Sequence, residues 1–175
     1  MAFDLGGLLQ QYLGGVGGQG AANVTEHYEQ VAQNVPPEAL SHGLAAAFHS
    51  EQTPPFADMV AHLFSQGTPQ QQAGMLGQLL SSLAPGALAA LGNSGALKGL
   101  TGLGVSPGAA PLTPGQISQV TPDQVKAIAE HAQQTSPGVV EKMSGFCAEH
   151  PGLVKTLGSA AMAIALAKIA DRMKA

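Results

Sequence analysis

Apolar residues recur along this chain at three- and four-residue intervals and nowhere sustain strict alternation, a pattern that predicts helices and no sheet. Residues 24–35 place Val24, Tyr28, Val31 and Val35 on one face, and residues 37–49 do the same with Leu40, Leu44, Ala47 and Phe48. Residues 54–66 use Phe56, Met59, Val60, Leu63 and Phe64, and residues 69–83 use Leu76, Leu79, Leu80 and Leu83. Further on, 122–134 carries Val125, Ile128, Ala129 and Ala132, and 137–149 carries Val140, Met143, Phe146 and Cys147.

The breaks between these stripes have their own grammar. Thr53-Pro54, Thr68-Pro69, Ser106-Pro107, Thr113-Pro114, Thr121-Pro122 and Ser136-Pro137 each pair a hydroxyl with a proline. The hydroxyl can accept an orphan N–H as N-cap, while the proline at the next position has the right φ and lacks a donor that would go unpaired. Gln71, Gln116 and Gln124 follow their threonines by three and complete capping boxes, with Asn23 and Glu26 a weaker version. The expected fold is all-α, a bundle of short proline-capped helices.

Two segments fall outside the grammar. Residues 84–111 are rich in Gly and Ala, with Leu88, Leu91, Leu97, Leu100 and Leu103 spaced by multiples of three. Their glycines penalise a long helix, so a short helix near 86–91 and then a linker are expected. At the N-terminus Phe3, Leu5, Leu8, Leu9, Tyr12 and Leu13 crowd onto one short helix, followed by a glycine-rich hinge over 14–20. Such an arm either docks on its own domain or inserts into another copy or a partner groove. The expected organisation is an arm and hinge (1–20), an acidic helical cluster (21–92), a linker (93–112) and a C-terminal helical cluster (113–175).

The last cluster is expected to end in a long apolar helix from Leu153 to about Met173. Leu153, Leu157 and Ile164 form one ridge; Met162, Leu166, Ile169 and Met173 form another nearly opposite. A helix apolar on two sides is a core helix, an oligomer interface or a helix lying on a membrane surface. Its uncharged run, Thr156 to Ala167, falls well short of the roughly twenty residues needed to span a bilayer.

Composition narrows the function. Only 10% of the residues are charged and there is no Trp, so the core must be built from Leu, Ala and Met. The single cysteine excludes an internal disulfide framework. The six acids of residues 1–97 face no Lys or Arg, and the seven bases from Lys98 onward are scattered without interleaved aromatics. Nucleic-acid binding, which rests on clustered cations neutralising phosphate, is disfavoured. The start Met1-Ala2-Phe3-Asp4 lacks the basic region of a secretory signal, so a cytoplasmic location is expected, with peripheral membrane association as an addition to it.

Candidate chemistry is sparse. His42, His49, His62 and His131 fall away from the apolar stripes, with Glu38–His42 and Asp58–His62 as helical i, i+4 pairs. These are solvated histidines unless two helices turn polar faces together to bind metal. Met143, Cys147 and His150 share one helical sector, where sulfur and imidazole suit Cu(I) or Zn(II), although Met143 and Cys147 also continue a core stripe. The metal candidates are therefore His42, His49, His62, Cys147 and His150. No nucleophile elbow, phosphate loop or dinucleotide fingerprint occurs, and no cofactor or catalytic residue is assigned.

The opening MAFDLGGLLQQYLGG, the Gly/Leu-rich middle and the Thr-Pro-capped helices resemble small bacterial proteins of the YidB-like group, most specifically over the first fifteen residues. The resemblance implies a bacterial helical protein and assigns no functional residues. The function expected is that of a non-enzymatic interaction or scaffold protein whose partner is itself or another protein. Its expected contact residues are Phe3, Leu5, Leu8, Leu9, Tyr12 and Leu13 in the arm, and Leu157, Ile164, Leu166 and Ile169 in the C-terminal helix. A His-based metal-binding module and a membrane- or granule-surface helical protein remain as alternatives.

Overall fold

The structure, a computed structural model, describes residues 23–93, 95 and 112–174, together with residues 4, 6–8 and 10. Among the described residues every regular element is a helix, so the fold is all-α. In chain order these are α1 (Val24–Asn34), α2 (Pro37–Phe48), α3 (Phe56–Gln66), α4 (Pro69–Ser82), α5 (Pro85–Asn93), α6 (Pro114–Ile117), α7 (Pro122–Thr135), α8 (Val139–Glu149), α9 (Pro151–Val154), a 3-10 turn (Lys155–Leu157) and α10 (Ser159–Lys174).

Capping follows the sequence at α4 and α7. Thr68 Oγ1 accepts the Gln71 N–H at 3.4 Å while Gln71 Oε1 accepts the Thr68 N–H at 3.0 Å. Thr121 and Gln124 repeat the exchange at 3.3 and 3.0 Å, and Gln116 Oε1 accepts the Thr113 N–H at 2.9 Å. Three expected caps do not form, among them Ser136, which ends α7 as its C-cap while α8 begins only at Val139. Asn23 makes no side-chain cap bond. Thr53 does not start a helix, because Pro54-Pro55 delays α3 to Phe56. Its hydroxyl turns back instead, donating to the carbonyls of Ala47 at 2.6 Å and Ser50 at 2.9 Å, and so closes the end of α2.

The helices group into two compact units, one made of Met1–Pro55 with Ser144–Ala175 and the other of Phe56–Met143. The first unit therefore draws residues from both ends of the chain.

In the first unit α10 packs chiefly on α2 and also on α1. Gly43 permits this approach: a Cβ there would lie 2.7 Å from the Ala165 carbonyl oxygen. The C-terminal helix is shorter than the expected run from Leu153. Gly158, at φ +91° and ψ 162°, interrupts it, and the residues before form α9 and the 3-10 turn. A positive φ is open to glycine at no steric cost, so the chain turns there. At about 1.5 Å per residue, α10 is roughly 24 Å long.

In the second unit α3 lies on α7, α4 packs on α3, α6 and α7, and α5 also meets α7. Phe56, Leu63, Met75, Leu76, Leu79, Ile117, Ile128 and Met143 are its largest fully buried side chains among the described residues. Gln72 on α4 donates to the Phe64 carbonyl at 2.7 Å and closes the end of α3. Lys126 on α7 pairs with Asp58 on α3 at 2.5 Å, and Asp58 raises the lysine's pKa first by hydrogen bonding and then by charge.

At the N-terminus the described atoms show Asp4 capping a helical turn. Its carboxylate accepts the Gly7 N–H at 2.9 Å, and its carbonyl accepts the Leu8 N–H at 3.1 Å. Leu8 is half-buried. Phe3, Leu5, Leu9, Tyr12, Leu13 and nearly all of the expected hinge and linker lie outside the described residues.

Candidate functional site

The helical period of α1 sends Tyr28 inward and leaves Glu29 at the margin. Tyr28 has no exposed surface, and its hydroxyl has no hydrogen-bond partner among the described residues. Burial raises the pKa of this phenol well above its ordinary range, and the nearby Cys147 raises it further, since a second negative charge would be unfavourable there. Cys147, on the inward face of α8, is itself completely buried, and burial pushes its thiol up to about 12. A protonated thiol is a poor nucleophile and a poor metal ligand.

His150 stands between α8 and α9. Its ring stacks on Phe146 with centroids 4.4 Å apart and an interplanar angle of 28°. Nδ1 lies 2.9 Å from the Phe146 carbonyl oxygen; because a carbonyl only accepts, Nδ1 carries the hydrogen. The histidine closes the end of α8, which leaves only Nε2 for another partner.

The remaining histidine candidates are exposed. His42 lies on α2 and His49 at its C-cap in the first unit, while His62 lies on α3 in the second. Among the described residues no group of three His, Cys, Asp or Glu side chains could hold a metal ion. Cys147 and His150, adjacent in the sequence pattern, point to different tasks: one is core and the other a helix stop.

Of the contact residues expected in the C-terminal helix, Leu166 and Ile169 have no exposed surface, Ile164 is 9% exposed and Leu157 is half-buried. Every residue from Ala161 through Leu166 is buried, so α10 has the character of a core helix. Ile164, Leu166 and Ile169 are thus covered within the single chain, while Leu157 keeps part of its surface. Among the described residues Met173 is the exposed large hydrophobic side chain, at 48%. No helix of the described residues is long and apolar enough to cross a membrane.

One concavity was not anticipated from the sequence. A surface pocket of about 140 Å³ lies in the first unit, lined by Glu29, Ala32 and Gln33 of α1 and by Pro151, Gly152 and Lys155. The Glu29 carboxylate and the Lys155 ammonium form an ion pair at this pocket, with both side chains about two-fifths exposed. The lining charges of the pocket are thus paired with each other. The pairing joins residues far apart in the chain, so no spacing could reveal it. The one local hint is the place of Glu29 beside the inward-facing Tyr28.

No protein family, curated protein or solved structure gives a match to this chain.

Proposed function

We propose that this chain is a non-enzymatic helical interaction protein that associates with further copies of itself through its apolar N-terminal segment. The observation that carries this reading is how the described helices dispose of their apolar side chains. Both units bury their stripes, and Met173 alone among the described large hydrophobics stands exposed. An association surface is therefore better sought in Phe3, Leu5, Leu8, Leu9, Tyr12 and Leu13, six apolar positions concentrated in a short segment that opens with an Asp4-capped turn. Ile164, Leu166 and Ile169 of α10 are by contrast buried within the first unit. The kinship with the YidB-like group rests on the same segment and is part of this proposal.

Light scattering coupled to size exclusion tests it, on the full chain and on a version lacking residues 1–20. Self-association that depends on concentration in the first and disappears in the second is expected. A strict monomer in both, with unchanged stability, overturns the reading.

A further inference from the structure

We propose that residues 151–157 form a strap that lifts from the first unit in a local opening, and that the Glu29–Lys155 ion pair latches it. The strap is bounded by two backbone breaks. At its near end His150 leaves helical geometry, at φ −125° and ψ 67°, and Pro151 supplies no N–H to continue the α8 ladder. At its far end Gly158 sits at φ +91°, a conformation open to glycine at no steric cost, with nothing packed within 4 Å of a Cβ placed on it. Between the breaks the segment holds together internally. The Leu153 N–H donates to the His150 carbonyl at 2.9 Å, and Thr156 Oγ1 donates to the Leu153 carbonyl at 2.7 Å.

Little fastens this piece to the rest of its unit. Leu153 and Val154 are buried and provide the apolar anchor. The latch is a partly exposed ion pair, a type of contact that contributes modestly. The pocket between α1 and the strap means the seam lacks the close packing of an interior. A segment with few buried anchors, bordered by a pocket and held by a partly exposed ion pair, belongs to the low-stability end of a fold.

Cys147, the single cysteine, is a built-in reporter, because it is fully buried near the end of α8, the helix that leads directly into the strap. Its labelling by a disulfide reagent such as dithiobis-nitrobenzoate can be followed in the full chain across low urea concentrations, alongside hydrogen exchange. The expected rate is nearly independent of urea at first, the mark of local opening, and amides 152–157 exchange before those of α10. Lys155→Ala and Glu29→Gln should each accelerate labelling by up to about fivefold, the scale of a partly exposed pair. Lys126→Ala, which breaks the comparable pair in the second unit, should leave the rate unchanged. Labelling that is absent, or that rises with the full urea dependence of global unfolding from the lowest concentrations, overturns the proposal. So do equal accelerations by Lys155→Ala and Lys126→Ala, or protection at 152–157 equal to that of α10.

Discussion

A Cβ placed on Gly43 of α2 would lie 2.6 Å from Cγ1 of Ile169 on α10, and 2.7 Å from the backbone oxygen of Ala165. The first of these neighbours can rotate; the second is part of a helix and cannot. Gly43→Ala therefore has two opposed effects. It gains up to about 1 kcal/mol of helix propensity and forces α2 and α10 apart at a cost of about 1–3 kcal/mol. Because a backbone atom sets the limit, the steric cost should win. Urea denaturation should show a net loss, whereas Gly77→Ala on α4, where a Cβ meets nothing within 4 Å, should be neutral or stabilising.

That contact also shows how far the sequence could be read. The helices themselves were legible, since apolar periodicity and Thr-Pro capping act over a few residues and leave their mark locally. The interruption at Gly158 was not, because apolar spacing runs on past it and only the backbone conformation reveals the turn. The apolar character of α10 was visible, but what covers it depends on α1 and α2, which come from the opposite end of the chain. The Glu29–Lys155 pair and the pocket beside it were invisible for the same reason. For Cys147 and His150 the sequence left metal binding and core packing both open, and burial assigns Cys147 to the core.

Tyr28→Phe isolates the orphan hydroxyl. The substitution keeps the ring, which fills the core, and removes a buried polar group that has no partner among the described residues. Relieving such a group is worth about 1–2 kcal/mol, so the variant should unfold at equal or higher urea concentration than the parent. A clear loss of stability would mean that the hydroxyl has a hydrogen-bond partner.

The buried thiol makes stability depend on alkaline pH. In the unfolded chain Cys147 ionises near its ordinary value of 9.0, whereas in the fold the proton is held to about 12. The stabilisation is thus fully present below pH 9 and declines as pH rises toward 12, because only the unfolded state then releases the proton. The slope approaches about 1.4 kcal/mol per pH unit in that window. Tyr28, also raised by burial, steepens the decline above its ordinary value of 10.0. Cys147→Ala should lower stability at pH 7 through the small cavity it leaves, yet flatten the decline between pH 9 and 10. Urea midpoints measured at several pH values check this, and an equal decline in both proteins would contradict it.

Thr53 offers a sharper separation of shape from hydrogen bonding. Its Oγ1 hydrogen is shared between the carbonyls of Ala47 and Ser50, at 2.6 and 2.9 Å, in a site only 9% exposed. Thr53→Val preserves the shape and deletes the donor, and Thr53→Ser preserves the donor and deletes a methyl. The Ala47 carbonyl keeps a second donor, the Ser50 N–H at 3.2 Å, so its desolvation is not left wholly uncompensated. The valine variant should therefore lose about 1 kcal/mol, the net worth of a hydrogen bond, and not the larger penalty of a stranded acceptor. The serine variant should lose less than the valine one if the hydroxyl is what closes α2. Thermal unfolding of both variants decides this: a valine variant as stable as the parent would show that the Pro54-Pro55 turn alone ends the helix.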